Sequence, residues 1–341
     1  MKFTICKESG TPLYKQVVAS VKDGIKNGTI CDGDPMPSLN TLAAEYDISM
    51  ETAKKAYNIL KTERYLSGRQ GKGFYVSIRD RKAPKKILMI LDKLSSYKLA
   101  IHKGLTDGLS TPADVMINVY NQDISMFEKI VSEADGVYDY YIVAPHFPAD
   151  VPSSKILKIL RKIPNDRLIL IDRNIPELKG RIGRVYQDFA NDAASALPSG
   201  LDRIRRYSNV IIVETGGAMY SSLIIPPMKE VLKSSGVRCS VIRSFKEGSL
   251  KPGTLYIVLS GQFDTVHFAI MREASAKGYA LGKAVGLVTY NDEPVNEFIC
   301  GGLTCFSTDF NAMGQRVAEM INSGIMHDIH NSFSLIRRNS L

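Results

Sequence analysis

One group of polar and basic side chains near the start of the chain is typical of a nucleic-acid contact surface. It consists of two clusters, one at the start of a predicted helix and one in a Gly-rich loop, with the members Ser49, Met50, Glu51, Thr52, Lys54, Lys55, Arg69, Gln70 and Lys72. The first turn of a helix can enter the DNA major groove, where short polar side chains reach base edges. Cations on a flexible loop can contact phosphates or the minor groove. The clusters therefore predict contact with double-stranded DNA.

The elements around these clusters have the order of a winged helix-turn-helix. Apolar residues recur at helical spacing in residues 12–26, a second short helix begins at the N-cap Ser38, and a third begins at the N-cap Ser49. Two short strands flank the Gly-rich loop. Residues 1–80 carry 12 basic and 9 acidic side chains, a net charge of only +3. The pattern by itself therefore leaves open a small interaction module of another kind.

A second group of polar side chains lies in the rest of the chain, where buried strands alternate with helices from Ile87 onward. Such alternation predicts a doubly wound α/β fold, in which ligands bind beyond the carboxyl ends of the strands. The polar residues at or just behind these strand ends are Asp92, Tyr97, His146, Asp172, Arg173, Gln262, Asp264, Asn291 and Asp292. Carboxylates, amides, an arginine and aromatic rings together suit a polyhydroxylated ligand. Each aspartate can instead be a helix N-cap, and the alternation also fits a Rossmann enzyme or a response-regulator-like domain.

Composition and targeting signals narrow the classes of protein further. The chain has 341 residues, and 44 Lys and Arg against 35 Asp and Glu give a net charge of +9, which permits nucleic-acid binding. No run of 18 apolar residues predicts a membrane span or membrane partner, and we expect no signal peptide. The five cysteines are scattered without a CxxC pair, so we expect reduced thiols in a cytoplasmic protein. Phosphate-binding, nucleophile and metal motifs are absent from the sequence, so we expect no catalytic residue, cofactor or metal site.

Several short motifs follow one another over residues 10–77. They are Pro12-Leu13-Tyr14-x-Gln16, Gly33-Asp34-x-Met36-Pro37-Ser38, Leu42-Ala43, Ser49-x-x-Thr52 and Gly71-x-Gly73-x-x-Val76. Their combined spacing resembles the GntR family of bacterial transcription regulators. The resemblance implies that Ser38 and Thr41 lie near phosphate, that residues 49–55 read bases, and that Lys72 and its neighbours form the wing. Asn40 and Met50 are DNA-facing positions where the family often has arginine, so the family's common operator is not expected.

The C-terminal segment also carries ordered phrases. They are Leu168-Ile-Leu-Ile-Asp172-Arg173, Val185-Tyr-Gln-Asp188, Tyr290-Asn291-Asp292, Leu303-Thr304 to Asp309 with Met313-Gly314, and Leu335-Ile-Arg337-Arg-Asn-Ser340. Together they resemble the LacI-type, periplasmic-binding-protein-like effector domain. A GntR-type DNA-binding domain joined to it is similar to the arabinose-responsive AraR group of sugar regulators. The resemblance implies two lobes with a sugar in the cleft between them. It adds Asp188 at a crossover, and Tyr220 on a helix where the family often has arginine, to the expected effector-binding residues.

The expected architecture is an α/β chain with an N-terminal winged helix-turn-helix and a two-lobed, doubly wound, periplasmic-binding-protein-like domain. The expected boundaries are 1–78 for the DNA-binding domain, 79–86 for a basic linker and 87–341 for the effector domain. Lobe 1 is expected at about 87–188 and 306–327, and lobe 2 at about 189–300 and 331–341.

The function predicted from these features is that of a transcriptional regulator, acting as a repressor. A sugar or sugar derivative in the interlobe cleft would control operator affinity by population shift, and a homodimer would bind a near-palindromic operator. One alternative is an α/β sugar-binding or sugar-processing enzyme fused to a DNA-binding module. Another is a PLP-dependent regulator or enzyme of GntR type, for which the C-terminal region is short.

Overall fold

The computed structural model describes residues 3–69, 73–77, 84–215, 219–261 and 263–341. The chain divides into two compact units. The first takes the chain up to Lys85 together with Ser110–Asp114 and Asn322–Gly324, and the second takes the remaining residues. Among the described residues, no helix is long and apolar enough to cross a membrane.

Helices and a hairpin make up the N-terminal part of the first unit. They are α1 (Leu13–Lys26), α2 (Leu39–Glu45), α3 (Met50–Thr62), β1 (Leu66–Arg69) and β2 (Gly73–Val76). The side chains of Ser38 and Ser49 cap α2 and α3 by accepting hydrogen bonds from the backbone N–H groups of Thr41 and Thr52. The apolar faces of the helices meet in one core with Val17, Val21, Leu42, Ala53 and Leu60 at its centre. The winged helix-turn-helix predicted from the sequence is confirmed.

The third helix is held against both the preceding turn and the hairpin. The Tyr57 hydroxyl donates to the Pro37 carbonyl at 2.8 Å, and the Tyr57 ring meets Phe74 of β2 edge-on at 5.1 Å. The strands pair antiparallel, with Leu66 opposite Val76. These contacts fix the direction of α3 relative to the hairpin. The predicted wing residues Gln70 and Lys72 lie outside the described residues, as does the side chain of Arg69.

The expected linker 79–86 differs from the structure at its end. Residues 79–83 lie outside the described part of the chain, but Lys85 and Lys86 begin strand β3 (Lys85–Leu91). The cause is a reciprocal pair of hydrogen bonds. The Lys86 N–H donates to the Asp139 carboxylate, and the Asp139 N–H donates to the Lys86 carbonyl, each at 2.8 Å.

In the described part of the second unit, the strands form two sheets. The first has β3 with β4 (Ala113–Val119), β5 (Tyr140–Val143), β6 (Leu168–Arg173), β7 (Gly183–Gln187) and β13 (Asp328–His330), in the order β13-β7-β6-β5-β3-β4. The second has β8 (Asn209–Glu214), β9 (Cys239–Ile242), β10 (Thr254–Leu259), β11 (Val285–Tyr290), β12 (Thr304–Thr308) and β14 (Phe333–Ile336), in the order β14-β12-β11-β10-β8-β9. Central strands such as β5, β10 and β11 are buried throughout, as expected for parallel strands covered on both faces.

Helices lie between these strands in the chain. They are α4 (Ser96–Gly108), α5 (Ile124–Glu133), α6 (Ser153–Leu160), α7 (Asp192–Ala196), α8 (Leu201–Ile204), α9 (Ser221–Ser234), α10 (Thr265–Ala276) and α11 (Phe310–Ser323). The alternation and the parallel pairing of the central strands confirm the doubly wound, two-lobed fold. We call the first sheet with its helices lobe 1 and the second sheet with its helices lobe 2.

The chain crosses between the lobes at slightly different places from those expected. Residues 306–308, expected in lobe 1, belong to β12 of lobe 2, because Thr304–Thr308 pairs in parallel with β11. Residues 328–330, just past the expected end of lobe 1, still belong to it, because β13 pairs with β7. The crossovers therefore follow Gln187, Thr308 and His330.

Two glycines let α4 and α11 of lobe 1 touch backbone to backbone. A Cβ at Gly104 would lie 2.1 Å from the Asn311 carbonyl oxygen, and a Cβ at Gly314 would lie 2.1 Å from the Ile101 carbonyl oxygen. No side chain fits at such separations without a shift of the helices. This close approach fixes α4, which carries two side chains of the candidate site described below.

Candidate functional site

The predicted DNA-contacting residues that the structure describes lie at the N-terminal ends of α2 and α3. The exposed members are Ser38, Asn40, Thr41, Ser49, Met50, Glu51, Lys54 and Lys55, and Thr52 is half-buried. Met50 is 42% exposed, so the first turn of α3 presents an apolar side chain to solvent. The Lys55 ammonium lies 4.0 Å from the centre of the Tyr14 ring, a cation–π contact that holds this charge beside α1.

A cavity lies between the lobes of the second unit, at the carboxyl ends of their strands. It encloses about 610 Å³ of space that is partly open to solvent. The predicted effector-binding residues that line it are Asp92, Tyr97, His146, Asp172, Tyr220 and Asn291. Further polar or aromatic side chains in the lining are Lys93, Gln122, Gln187, Phe189, Ser221, Ser260 and Tyr290. The strand-end rule thus located the cavity, although it did not yield Gln187 because β7 was not predicted.

Several lining residues have left-handed backbone conformations. The φ angles of Asp172, Asn291 and Gln122 are +69°, +66° and +62°. Asp and Asn tolerate this region better than other residues with a Cβ. Such conformations cost free energy and concentrate at functional sites. Their occurrence at the ends of strands in both lobes supports the cavity as the binding site of this unit.

A buried cluster of charges includes lining residues of the cavity and Lys98 behind them. The Lys98 ammonium, which is fully buried, is 2.6 Å from Asp172 Oδ2 and 3.4 Å from Asp92 Oδ1. His146 Nε2 lies 2.9 Å from the same Asp172 oxygen, and the Gln187 amide donates to Asp172 Oδ1 at 2.5 Å. Asp172 is therefore held by three side chains of its own lobe.

The protonation of the cluster is set by burial and by neighbouring charge. Burial alone would raise the pKa of Asp172, but Lys98 and His146 beside it hold that pKa well below its usual range. Burial alone would lower the pKa of Lys98, but Asp172, Tyr97 and Asp92 together hold it above its usual range. Asp172 and Lys98 therefore form an ion pair at neutral pH.

Lys98 was not among the predicted effector-binding residues. Its position contained a signal, because Lys98, Ile101 and Leu105 have the i, i+3, i+7 spacing of one helix face and all three are buried. A lysine on an otherwise apolar helix face predicts a buried charge, which must be paired. That reasoning would have linked α4 to one of the strand-end aspartates.

Tyr220 of lobe 2 reaches across to lobe 1. Its hydroxyl lies 2.7 Å from His146 Nδ1, and the guanidinium carbon of Arg173 lies 5.4 Å from the centre of its ring. The ring also stacks on Phe189, with the ring centres 4.2 Å apart. Burial raises the pKa of Tyr220, so its hydroxyl stays protonated. Tyr220 therefore joins the two lobes directly across the cavity.

Asp292 occupies a different place from the one expected. It was expected to bind the effector together with Asp172 and Arg173, but it does not line the cavity. Its carboxylate pairs with both terminal nitrogens of Arg338, at 2.7 and 2.8 Å, and Cys305 Sγ lies 3.0 Å away. The arginine two residues beyond β14 holds Asp292 in lobe 2.

Arg173, Asp188 and Asp264 are likewise outside the cavity lining. The Arg173 guanidinium contacts the ring of the lining residue Tyr220. It also donates a hydrogen bond to the Pro145 carbonyl at 3.3 Å. Asp188 accepts from the Ala190 backbone and the Asn191 side chain at the crossover. Asp264 is the N-cap of α10, which is the alternative role considered for each strand-end aspartate. Gln262 lies outside the described residues.

Metal-binding and redox features can be assessed for the same part of the chain. Within the described ranges, no three His, Cys, Asp or Glu side chains are grouped so that they could hold a metal ion. The five cysteines, all in those ranges, form no disulfide.

Comparison with known proteins identifies the N-terminal domain. Residues 13–76 match the family described as "Bacterial regulatory proteins, gntR family". The chain is 39% identical over 77 residues to the uncharacterized HTH-type transcriptional regulator YurK, and 29% identical over 96 residues to the HTH-type transcriptional repressor YtrA, both of Bacillus subtilis (strain 168). These matches cover 23% and 28% of this chain, and 30% and 74% of the two relatives. The first unit therefore contains a GntR-family helix-turn-helix domain.

Comparison with solved structures identifies the fold of the second unit. The chain is similar to a LacI family transcriptional regulator from Enterococcus faecium that was solved with bound ribose. The TM-score is 0.56 at 14% identity, over 75% of this chain and 98% of that chain. The two-sheet unit therefore has the fold of the LacI-type, periplasmic-binding-protein-like domain. The chain as a whole combines a GntR-type helix-turn-helix domain with this fold.

Proposed function

We propose that this protein is a transcriptional regulator whose operator affinity is controlled by a sugar or sugar derivative. One observation carries the proposal: a GntR-family domain at residues 13–76 shares a chain with a LacI-type fold that has a polar cavity between its lobes. YtrA is described as a repressor, and the E. faecium regulator holds ribose. By analogy, the ligand-free protein represses, and the ligand releases it from DNA.

The proposed DNA-binding domain is residues 1–78. Its recognition surface is the exposed start of α3, from Ser49 to Lys55, with Ser38, Asn40 and Thr41 at the start of α2 against phosphate. Arg69, Gln70 and Lys72 are the proposed wing contacts. A single domain of this size makes few base contacts, so we propose a homodimer on a near-palindromic operator. We propose that the protein acts in the cytoplasm and without a membrane partner.

The proposed effector domain is residues 87–341, with the ligand in the interlobe cavity. Asp92, Tyr97, His146, Tyr220 and Asn291 are the proposed ligand contacts, and Asp172 is proposed mainly to hold His146 and Lys98 in position. A ligand that contacts both lobes favours one relative placement of the lobes over the other. In a dimer, this shift changes the placement of the two DNA-binding domains.

The proposed function is tested with two independent readouts on the full chain. Selection from random DNA gives the operator, and fluorescence anisotropy measures operator affinity. Thermal shift across a panel of sugars identifies ligands. A sugar that raises the melting temperature should also lower operator affinity. A protein that selects no DNA sequence, or a bound sugar that leaves operator affinity unchanged, would contradict the proposal.

Matched variants separate the two activities. Tyr220→Ala should abolish the sugar-induced thermal shift and leave ligand-free operator affinity intact. Lys54→Ala should lower operator affinity and leave the sugar-induced thermal shift intact, since Lys54 is exposed on α3. Loss of both activities in either variant would show a general folding defect or a shared site, and would count against the division of roles.

A further inference from the structure

Four buried oxygen atoms of the cavity-lining residues have no hydrogen-bond partner within the described part of the chain. They are Asp92 Oδ1, Gln187 Oε1, Asn291 Oδ1 and the Tyr290 hydroxyl. None of the four residues is more than 7% exposed. Buried polar atoms are nearly always hydrogen-bonded in folded proteins, because leaving one unpaired costs free energy. A concentration of such atoms around one cavity points to a ligand that supplies their partners.

The unpaired atoms are mainly acceptors. The amide nitrogen of Gln187 already donates to Asp172 at 2.5 Å, and that of Asn291 donates to the Gly261 carbonyl at 3.0 Å. Each side chain therefore offers its carbonyl oxygen. Asp92 Oδ1 has only the more distant Lys98 ammonium, at 3.4 Å. Ligand hydroxyl or amino groups can donate to these oxygens, whereas an ionised phosphate or carboxylate can only accept.

The charges of the buried cluster also disfavour an acidic ligand. Two carboxylates, Asp92 and Asp172, share the single buried ammonium of Lys98. That ammonium has no exposed surface, so it is not available to a ligand. An acidic group beside this cluster would meet unpaired acceptor oxygens and the two carboxylates that share one ammonium, which disfavours an anion at that position. Lys93 is half-buried in the lining and Arg173 lies against the Tyr220 ring, so an anion would have to bind near one of these two cations.

We infer that the effector is a polyhydroxylated compound that carries no phosphate or carboxylate group. The inference rests on the proposed function and narrows its ligand class to neutral sugars, sugar alcohols and amino sugars. The donors of such a ligand pair with the oxygens of Asp92, Gln187 and Asn291, and the Tyr290 hydroxyl either donates to or accepts from it.

The first test compares matched ligands on the full wild-type protein. Aldoses, sugar alcohols and amino sugars are titrated beside the corresponding sugar phosphates and uronic acids, by thermal shift and then by calorimetry. Binding that is at least about tenfold tighter for a compound without an acidic group than for its acidic counterpart supports the inference. Tighter or equal binding of acidic sugars overturns the inference and leaves the proposed function standing. A panel in which no compound binds contradicts the proposed function, and the inference fails with it.

The second test uses two tyrosines that differ in position alone. Tyr290 and Tyr207 both pack in the core of lobe 2 and both have a buried hydroxyl without a partner, but only Tyr290 lines the cavity. Tyr290→Phe should weaken binding of the non-acidic ligand about threefold to tenfold, the effect of one lost hydrogen bond. Tyr207→Phe should leave that affinity unchanged. Unchanged affinity in Tyr290→Phe, or equal losses in both variants, overturns the assignment of this hydroxyl to the ligand.

Lys93→Gln is the control for binding through the cation of the lining. It removes the lining cation and keeps a polar side chain of similar length. The affinity of the non-acidic ligand should change less than about twofold. A loss of tenfold or more would show that the Lys93 ammonium carries the binding of this ligand, and would overturn the assignment of its binding to the unpaired oxygens.

Discussion

The buried lysine beneath the cavity gives a sharp test of how the effector unit is held together. Lys98→Met keeps a flexible side chain of similar length and removes the ammonium that lies 2.6 Å from Asp172. Asp172 and Asp92 then remain buried without their cation. Removing one partner of a buried ion pair costs about 3–5 kcal/mol, because the remaining charge is uncompensated. The ratio of folded to unfolded protein should therefore fall more than about a hundredfold.

The pH dependence of this loss has a definite sign. In the wild type, the folded pKa of Asp172 lies below the unfolded value of about 3.9. Its contribution to stability is therefore present above that value and is lost as the pH falls through the folded pKa. In Lys98→Met, burial of Asp172 remains while the Lys98 charge that lowers its pKa is removed, so the folded pKa of Asp172 rises. The difference in stability between the variant and the wild type should therefore narrow on acidification.

Urea unfolding at pH 7 and at about pH 4.5 measures the effect, with the transition of the effector unit followed by tyrosine fluorescence. The difference in the free energy of unfolding between wild type and Lys98→Met should be larger at pH 7 than at the lower pH. Lys103→Met is the matched control on the same helix, since Lys103 and its partner Asp107 are largely exposed. This variant should have nearly the wild-type free energy of unfolding at both pH values. A Lys98→Met protein with the wild-type midpoint at both pH values would refute the buried ion pair.

Other side chains of both units give narrower tests. Tyr220→Phe removes the hydroxyl that meets His146 and keeps the ring, so calorimetry should show effector binding weakened about threefold; an unchanged affinity would exclude this bond from the bound state. Lys54→Ala should lower affinity for operator and random DNA alike and reduce the salt slope by about one, whereas a loss confined to the operator would indicate a base contact. Met50→Arg should shift the selected half-site toward guanine at one position, with about 1–3 kcal/mol of discrimination, and an identical selected motif would contradict this. Gly104→Ala forces a Cβ against the backbone of α11 and should lower the free energy of unfolding by about 1–3 kcal/mol in urea titrations; wild-type stability would mean that the helices separate freely.

The elements that the sequence predicted well are those whose signals are local. The caps at Ser38 and Ser49 and the apolar spacing of α1 and α3 depend on neighbours within a few residues, and they placed the helix-turn-helix. The aliphatic runs of the central strands likewise indicated a doubly wound fold. Strands β7 and β13 were not predicted. Each is short and lacks a continuous buried aliphatic run, and each becomes regular through pairing, β7 with β6 and β13 with β7.

The cavity could be predicted only in part. Strand ends converge at one edge of a parallel sheet, so Asp92, Asp172 and Asn291 were found from position alone. The direction of each carboxylate depends on partners distant in sequence. Asp292 pairs with Arg338, 46 residues away, and Asp172 pairs with Lys98, 74 residues away. The apolar face of α4 indicates that Lys98 is a paired buried charge, but no pattern along one segment identifies both partners of either pair, so Asp292 was expected in the cavity.

Coupling between ligand binding and operator binding is the central property of the proposed regulator. The decisive measurement is the operator affinity of the full wild-type chain, by fluorescence anisotropy at fixed salt, over a titration of the non-acidic sugar that gives the largest thermal shift. We expect operator affinity to fall as sugar is added, with a midpoint that tracks the sugar's dissociation constant. Tyr220→Ala should remove this response without changing the operator affinity of the ligand-free protein. Operator affinity that stays constant while the cavity fills with sugar would contradict this coupling.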